Sequence, residues 1–254
     1  MTKTRRYSAN YSILTLALSY LLPGRCPMCS GDLESPEQSF CDRCVDELPW
    51  LESGCKQCAA PLPTDALCPN CQSDPPAYRR CISAFVYQPP LDRIILQLKN
   101  DPYVTELKQL CALLAEHIFS SYSPGTIPSL LIPMPLHWQK MARRGFNQSL
   151  VIGSMLSTYL LHQHSTSVKL STEICDRVTN NQPQHTLDKK QRARSVKDAF
   201  AVPADAARAI KGLSVAVIDD VVTTGATANA IATALVEAGA KQVDIWCLAR
   251  TGLE

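Results

Sequence analysis

Val215-Ala216-Val217-Ile218-Asp219-Asp220-Val221-Val222-Thr223-Thr224-Gly225-Ala226-Thr227 carries the chain from a strand into a helix within thirteen residues. The run Leu213 to Ile218 that feeds it is almost continuously apolar, the pattern of a central parallel strand buried on both faces. Two adjacent carboxylates follow, then a small glycine-containing turn. Ala226 to Ala238 then reads as a helix closed by Gly239. Each part has a chemical use. Open α/β sheets take ligands at the carboxyl ends of their strands. A small, flexible turn lets backbone N–H groups face an anion, and the helix adds its positive end. Threonine hydroxyls add donors for phosphate oxygens. Asp219 and Asp220 can accept hydrogen bonds from a vicinal diol or help hold a hydrated Mg²⁺.

The flanking sequence alternates strand and helix. Ile82 to Tyr87, Ser129 to Ile132 and Val243 to Leu248 read as strands, and Leu91 to Leu98, Tyr103 to Phe119 and Asn147 to Leu161 as helices. That alternation predicts an α/β fold, a parallel sheet with crossover helices. The chain has 254 residues, 46% of them hydrophobic, enough for one such domain and a smaller module.

The smaller module precedes the sheet. Eight of the twelve cysteines form four Cys-x-x-Cys pairs: Cys26/Cys29, Cys41/Cys44, Cys55/Cys58 and Cys68/Cys71. This stretch is rich in Pro, Gly and Asp and short of apolar periodicity, so it calls for a staple. Four pairs supply the ligands of two tetrahedral four-cysteine sites, each sulfur about 2.3 Å from a Zn²⁺. Four thiolates leave no open coordination position, which makes both ions structural. Sequential pairing agrees with the internal near-repeat, and interleaved pairing remains open. Such a density of pairs suits a reducing, cytoplasmic setting. Cys81, Cys111, Cys175 and Cys247 lie in apolar sequence and are expected to be buried thiols.

The formal net charge is only +2, so bulk charge names no nucleic-acid partner. Its distribution is uneven: His137 to Lys197 holds ten Lys/Arg against three Asp/Glu. Pro133-Met134-Pro135, then Arg143-Arg144-Gly145-Phe146-Asn147-Gln148, follow the second strand. Paired guanidinium groups suit bidentate contact with phosphate oxygens. Gly145 would free the backbone for a close approach, and Asn147 would cap the next helix. Trp138 is expected to pack between loop and helix, with stacking on a base as the other reading. Cys175 to Lys197 reads as a loop or lid whose Arg177, Gln184, Arg192 and Arg194 could close over phosphate. At the start, Lys3 to Arg6 followed by Ile13 to Leu18 reads as a short amphipathic helix rather than a secretory signal. No small-x-small site follows, and the run is too short to span a bilayer.

The thirteen-residue stretch resembles the phosphoribosyl pyrophosphate (PRPP) signature of type I phosphoribosyltransferases. That resemblance implies ribose contacts, and a catalytic role, for Asp219 and Asp220. It places the 5′-phosphate in the turn that follows Val221 and Val222, at Thr223, Thr224, Gly225, Ala226 and Thr227, and pyrophosphate near Pro133 to Pro135. Ile132 to His137, Arg143 to Gln148, Gln184 to Leu187, Arg192 and Phe200 resemble the ComF/GntX family of competence-associated proteins, as does the cysteine-rich head. Ser195 and Asn100 depart from that pattern. The layout then expected is an amphipathic helix over 1–23, a double zinc ribbon over 24–77 and a type I phosphoribosyltransferase-like domain over 78–254. The resemblance implies a protein of DNA uptake that binds PRPP with Mg²⁺, with single-stranded DNA and a helicase-like protein as partners. The competing expectation is an active transferase that moves ribose 5-phosphate to a nitrogen nucleophile and releases pyrophosphate.

Overall fold

The computed structural model describes residues 24–35, 38–178 and 199–252. The helix expected over 1–23 and the lid residues Gln184, Arg192 and Arg194 lie outside them. The chain forms two compact units, residues 1–47 and 48–254. The first holds a Cys26–Cys29 knuckle closed by the Arg25–Asp32 bridge, and helix α1 (Asp42–Asp46). The second begins with another knuckle, closed by the Gly54–Pro61 bridge, and helix α2 (Pro69–Ser73). This knuckle packs with the sheet. Leu51 N–H donates to Ala84 O at 2.9 Å and Cys81 N–H donates to Gln57 O at 2.6 Å.

The remaining elements are β1 (Arg80–Val86), α3 (Leu91–Leu98), α4 (Glu106–Ser120), β2 (Leu130–Pro133), α5 (Trp138–Arg144), α6 (Gln148–His164), β3 (Lys169–Leu170), β4 (Asp176–Arg177), β5 (Phe200–Ala201), α7 (Ala204–Ile210), β6 (Ser214–Val222), α8 (Ala226–Glu237) and β7 (Gln242–Arg250). The main sheet has the order β1-β7-β6-β2-β3 and is parallel throughout. The α/β fold read from the alternation is therefore present. Helix α3 shows how pattern becomes packing: Leu91, Ile94, Ile95 and Leu98, spaced i, i+3, i+4 and i+7, are its buried face. Cys81, Cys111, Cys175 and Cys247 are buried, as expected. No helix among the described residues is long and apolar enough to cross a membrane.

The sheet order locates the site. From β2 the chain steps outward to β3, whereas from β6 it steps the other way to β7. Between β2 and β6 the winding reverses, which opens a crevice at their carboxyl ends. Helix α6 packs closely on β2, β3 and β6 because it carries Gly153. A Cβ there would come 2.9 Å from Leu170 Cδ1 and 3.2 Å from Ile218 Cγ2.

Two boundaries differ from expectation. Strand β6 continues past Ile218 to Val222, because Asp219 pairs with Cys247 and Val221 with Ala249 across the ladder. The two acids therefore belong to the strand rather than to a loop after it. Helix α5 was not expected. It buries none of its residues, so it has no apolar period to read.

Candidate functional site

The carboxyl end of β6 sets Asp219 and Asp220 into the crevice. Asp219 Oδ1 accepts from Ser149 Oγ at 3.0 Å and from Asp220 N–H at 2.9 Å. Ser149 is placed by the close approach of α6, whose N-cap Asn147 accepts from Ser149 N–H at 2.9 Å and donates to Met134 O at 3.0 Å. Asp220 is buried. Its Oδ1 accepts from Val221 N–H at 3.0 Å, while its Oδ2 is a buried oxygen without a hydrogen-bond partner among the described residues. Lys99 Nζ, from the end of α3, stands 3.8 Å from that oxygen. Loss of water, and secondly the charge of Asp220, hold the Asp219 carboxyl well above the usual carboxylate range. Two acids this dry need a positive or hydrogen-donating guest.

Beyond them the turn is open. Thr223, Thr224 and Ala226 are exposed, and Gly225 adopts φ 82° as the N-cap of α8, a conformation that favours glycine. Of the first amides of α8, Ala226 N–H reaches only Thr224 Oγ1 at 3.3 Å. The free amides of a helix's first turn face outward for an anion. Asp219 is half-buried and the turn is not filled by its own side chains, so the site is accessible at the turn and closed around Asp220.

Two cations from separate elements, Lys99 and Arg177, face the acid pair. Lys140 is pushed down by dehydration, and then by the charges of Arg177, Arg144, Arg143 and Lys99, so each of these four lies within electrostatic reach of Lys140. Arg177, on β4, feels Asp219 as an opposing charge, and its Nε is buried without a hydrogen-bond partner among the described residues. Arg143 and Arg144 need correction. They end helix α5 rather than open one, so they complement the negative end of that helix. Arg144 Nη1 donates to Gln148 Oε1, which ties it to α6. Gly145 is the left-handed C-cap of α5 at φ 81°. A Cβ there would meet nothing within 4 Å, so conformation and not close approach demands glycine.

Pro133, the last residue of β2, pairs with Ile218 of β6, and Met134 is buried with its N–H donating to Ile218 O at 2.9 Å. Trp138 does not pack as expected. It is 68% exposed and lines a groove of about 290 Å³ with Pro133, Pro135, Met141, Leu150 and Arg177. Its neighbour His137 caps α5 instead, accepting from Gln139 N–H at 3.3 Å. Arg250 was missed altogether. It is 2% exposed and donates to Val222 O at 3.1 Å and to Thr223 O, holding the turn from behind. An arginine closing a strand that is apolar from Ile245 to Ala249 was the available signal.

The cysteines pair sequentially. Cys26, Cys29, Cys41 and Cys44 form one cluster and Cys55, Cys58, Cys68 and Cys71 the other, with the sulfurs of each within 4.8 Å of one another. Burial pushes the Cys55 thiol up, but amide donors at Cys58, Cys68 and Gln57 outweigh it and bring it down to about 6. The same balance brings Cys26 down to about 6. Thiols surrounded by amide donors and nearly within coordination distance fit structural Zn²⁺. In the first cluster Cys29 is exposed and Cys41 partly so, whereas all of the second is buried. A strong chelator is therefore expected to release two equivalents of zinc in two phases, the faster from the first cluster, followed by a colorimetric zinc indicator. One phase, or elemental analysis giving clearly fewer than two zinc per chain, would count against this assignment.

Residues 17–72 match the double zinc ribbon domain family. The chain is 32% identical to the DNA utilization protein YhgH of Salmonella typhimurium over 91% of this chain and 98% of that protein. It is 28% identical to competence protein F of Haemophilus influenzae over 89% and 96%. Among solved structures, a hypoxanthine phosphoribosyltransferase from Staphylococcus aureus matches 57% of this chain and 62% of its own at 16% identity and a TM-score of 0.33. With both four-cysteine clusters formed and relatives aligned along nearly their whole length, the chain belongs to the ComF/GntX family.

Proposed function

We propose that this chain is a ComF-like protein with a phosphoribosyltransferase-type site that binds PRPP, or a related phosphoribosyl nucleotide, and acts in DNA uptake or utilisation. The observation that carries the reading is the buried Asp220 Oδ2, without a hydrogen bond among the described residues, beside the half-buried Asp219 at the edge of an open turn. A ribose diol would donate to Asp219 and Asp220, and its 5′-phosphate would take the amides and hydroxyls of Thr223 to Thr227. Lys99, Lys140, Arg143, Arg144 and Arg177 would meet the pyrophosphate. Mg²⁺, when bound with PRPP, would neutralise pyrophosphate charge, and the dry carboxylate pair is a fitting second contact for its hydration shell. The role in DNA uptake rests on what the relatives are called.

The groove beside Trp138 favours one further reading, an active transferase with a planar acceptor stacked on the indole. Positive charge developing on the ribosyl ring as pyrophosphate leaves would be stabilised by Asp219 or Asp220. Calorimetric titration with Mg²⁺–PRPP tests the site. Release of pyrophosphate in a screen of bases and amines would identify the transferase, and its absence with tight PRPP binding would favour the accessory role. For nucleic acid, the expected result is a salt-sensitive gel shift with single-stranded DNA. It should weaken about tenfold on Arg143→Ala/Arg144→Ala and survive Asp219→Ala/Asp220→Ala. Absence of any shift at low salt would remove DNA contact from the proposal.

A further inference from the structure

Arg250 closes β7 with its guanidinium divided between two places far apart in the chain. On one side Nε donates to Cys58 O at 2.8 Å and Nη2 lies 3.8 Å from Cys58 Sγ. On the other, Nη1 donates to Val222 O at 3.1 Å, to Thr223 O and to Thr251 O at 3.0 Å. Cys58 belongs to the fully buried four-cysteine cluster, and Val222 and Thr223 lead into the phosphate turn. Among the described residues no carboxylate forms an ion pair with Arg250, although it is 2% exposed. A buried guanidinium that lacks a counter-charge costs several kcal/mol. Four thiolates around a divalent ion carry a formal charge of about −2, and would supply that counter-charge beside Cys58.

A second link runs parallel to the first. Gln57, inside the same knuckle, donates from Nε2 to Pro76 O at 3.4 Å and to Tyr78 O at 3.3 Å. Ala77 N–H donates to Asn229 Oδ1 at 2.7 Å, in the first turn of α8. The buried Tyr78 hydroxyl lies against Gly225, 3.4 Å from where a Cβ would stand. The knuckle thus backs the turn from below as well as through Arg250.

We infer that Arg250 is a positioning residue that makes the shape of the phosphate turn depend on metal in the Cys55/Cys58/Cys68/Cys71 cluster. Filled, the cluster fixes Cys58, Cys58 orients the guanidinium, and the guanidinium holds the carbonyls of Val222 and Thr223 so that the following amides face the ligand. Emptied, the cluster no longer holds the Cys58 knuckle in place, the fork loses its anchor and the turn loosens. Loss of zinc to a competing chelator would then weaken anion binding without touching any residue that contacts the anion. This regulation rests on the phosphoribosyl reading of the site, but the geometry of the turn can be tested without a ligand.

The test is hydrogen exchange of the full-length, zinc-loaded protein in the absence of ligand. It compares amides of Thr223 to Thr227 with those of Val215 to Ile218 in the same strand. Arg250→Met, and separately removal of zinc from the second cluster, should each speed exchange in the turn about tenfold or more and leave the strand unchanged. Re-addition of zinc should restore the wild-type protein but not Arg250→Met. Arg250→Lys, which keeps the charge but cannot span both sides, should behave like Arg250→Met. Mg²⁺–PRPP affinity should fall in step, by about 10- to 100-fold, with both zinc ions still present in Arg250→Met by elemental analysis. Unchanged exchange in the turn after zinc removal overturns the coupling. So does equal acceleration in Val215 to Ile218, which would mean general unfolding, and so does full rescue by lysine. If the wild-type protein binds no phosphoribosyl compound while the turn still loosens on zinc loss, the functional reading fails and the coupling stands.

Discussion

Asp219→Asn/Asp220→Asn is expected to weaken Mg²⁺–PRPP binding about 30- to 100-fold while raising the thermal midpoint by about 2–4 °C. The two effects share one cause. Each carboxylate that accepts from a ribose hydroxyl makes a charge-assisted bond, and such bonds contribute roughly 1 kcal/mol or more beyond neutral ones. Losing that increment twice, together with the attraction for Mg²⁺, gives about 2–3 kcal/mol, or the stated fall in affinity. In the unliganded protein the same charges are a burden. Asp220 is buried with no hydrogen bond to Oδ2 among the described residues, and dehydration and its neighbour hold Asp219 above the ordinary carboxylate range. A carboxyl group whose folded pKa is raised stabilises fully only below its unfolded value of about 3.9, and that contribution is lost as pH rises through the folded value. Near neutral pH the Asp219 carboxylate therefore destabilises the fold, and asparagine there, which can still accept from Ser149 and the backbone, relieves this by about 1 kcal/mol. The gain in thermal midpoint should be present at pH 7 and vanish near pH 4. Calorimetry and thermal scans across that range check both halves. A variant that loses affinity and also loses stability at pH 7 would mean that the acids are structural.

How much of this was readable follows from the sequence distance of each interaction. The strand, the acid pair, the turn and α8 are contiguous, so their chemistry could be read in one pass. The extension of β6 to Val222 could not, because Asp219 and Asp220 break the apolar run and only the ladder with Cys247 and Ala249 keeps them in the strand. The cations illustrate the same limit. Arg143 and Arg144 were visible as a pair, but Lys99 reaches Asp220 from a different crossover, across more than a hundred residues. Arg250 is the extreme case, since its partners lie 28 and 192 residues away. The cysteine pairs were legible as metal ligands, since a knuckle is local. That the second knuckle belongs to the unit of the sheet was not, because its ties to Ala84 and Cys81 are backbone bonds that leave no compositional trace.

Asp244→Ala is expected to lower the stability of the folded protein by about 3 kcal/mol and the thermal midpoint by about 6–12 °C, yet to leave Mg²⁺–PRPP affinity within about threefold of wild type. Asp244 is 0% exposed at the amino end of β7, beside Arg80 at the amino end of β1, whereas the site lies at the carboxyl ends. Its carboxylate accepts from Arg79 Nε at 2.8 Å and from the Tyr122 hydroxyl at 2.5 Å, with Arg80 Nε at 3.7 Å. Tyr122 in turn accepts from Trp246 Nε1 at 3.0 Å, and the Arg80 guanidinium lies 4.0 Å from the centre of the Tyr122 ring. Truncating the acid therefore strands the buried Tyr122 hydroxyl and two partly buried arginines at once. Breaking a buried pair from one side typically costs about 3–5 kcal/mol, and the lower end applies because Arg79 is 40% exposed and partly screened by water. The variant thus loses stability from one end of the sheet and keeps function at the other, the reverse of the acid pair in β6. Urea denaturation paired with calorimetry separates these outcomes. A folded Asp244→Ala protein with wild-type stability would show that the network is surface decoration, and one that binds PRPP much more weakly would show that the amino edge of the sheet shapes the crevice at the other end.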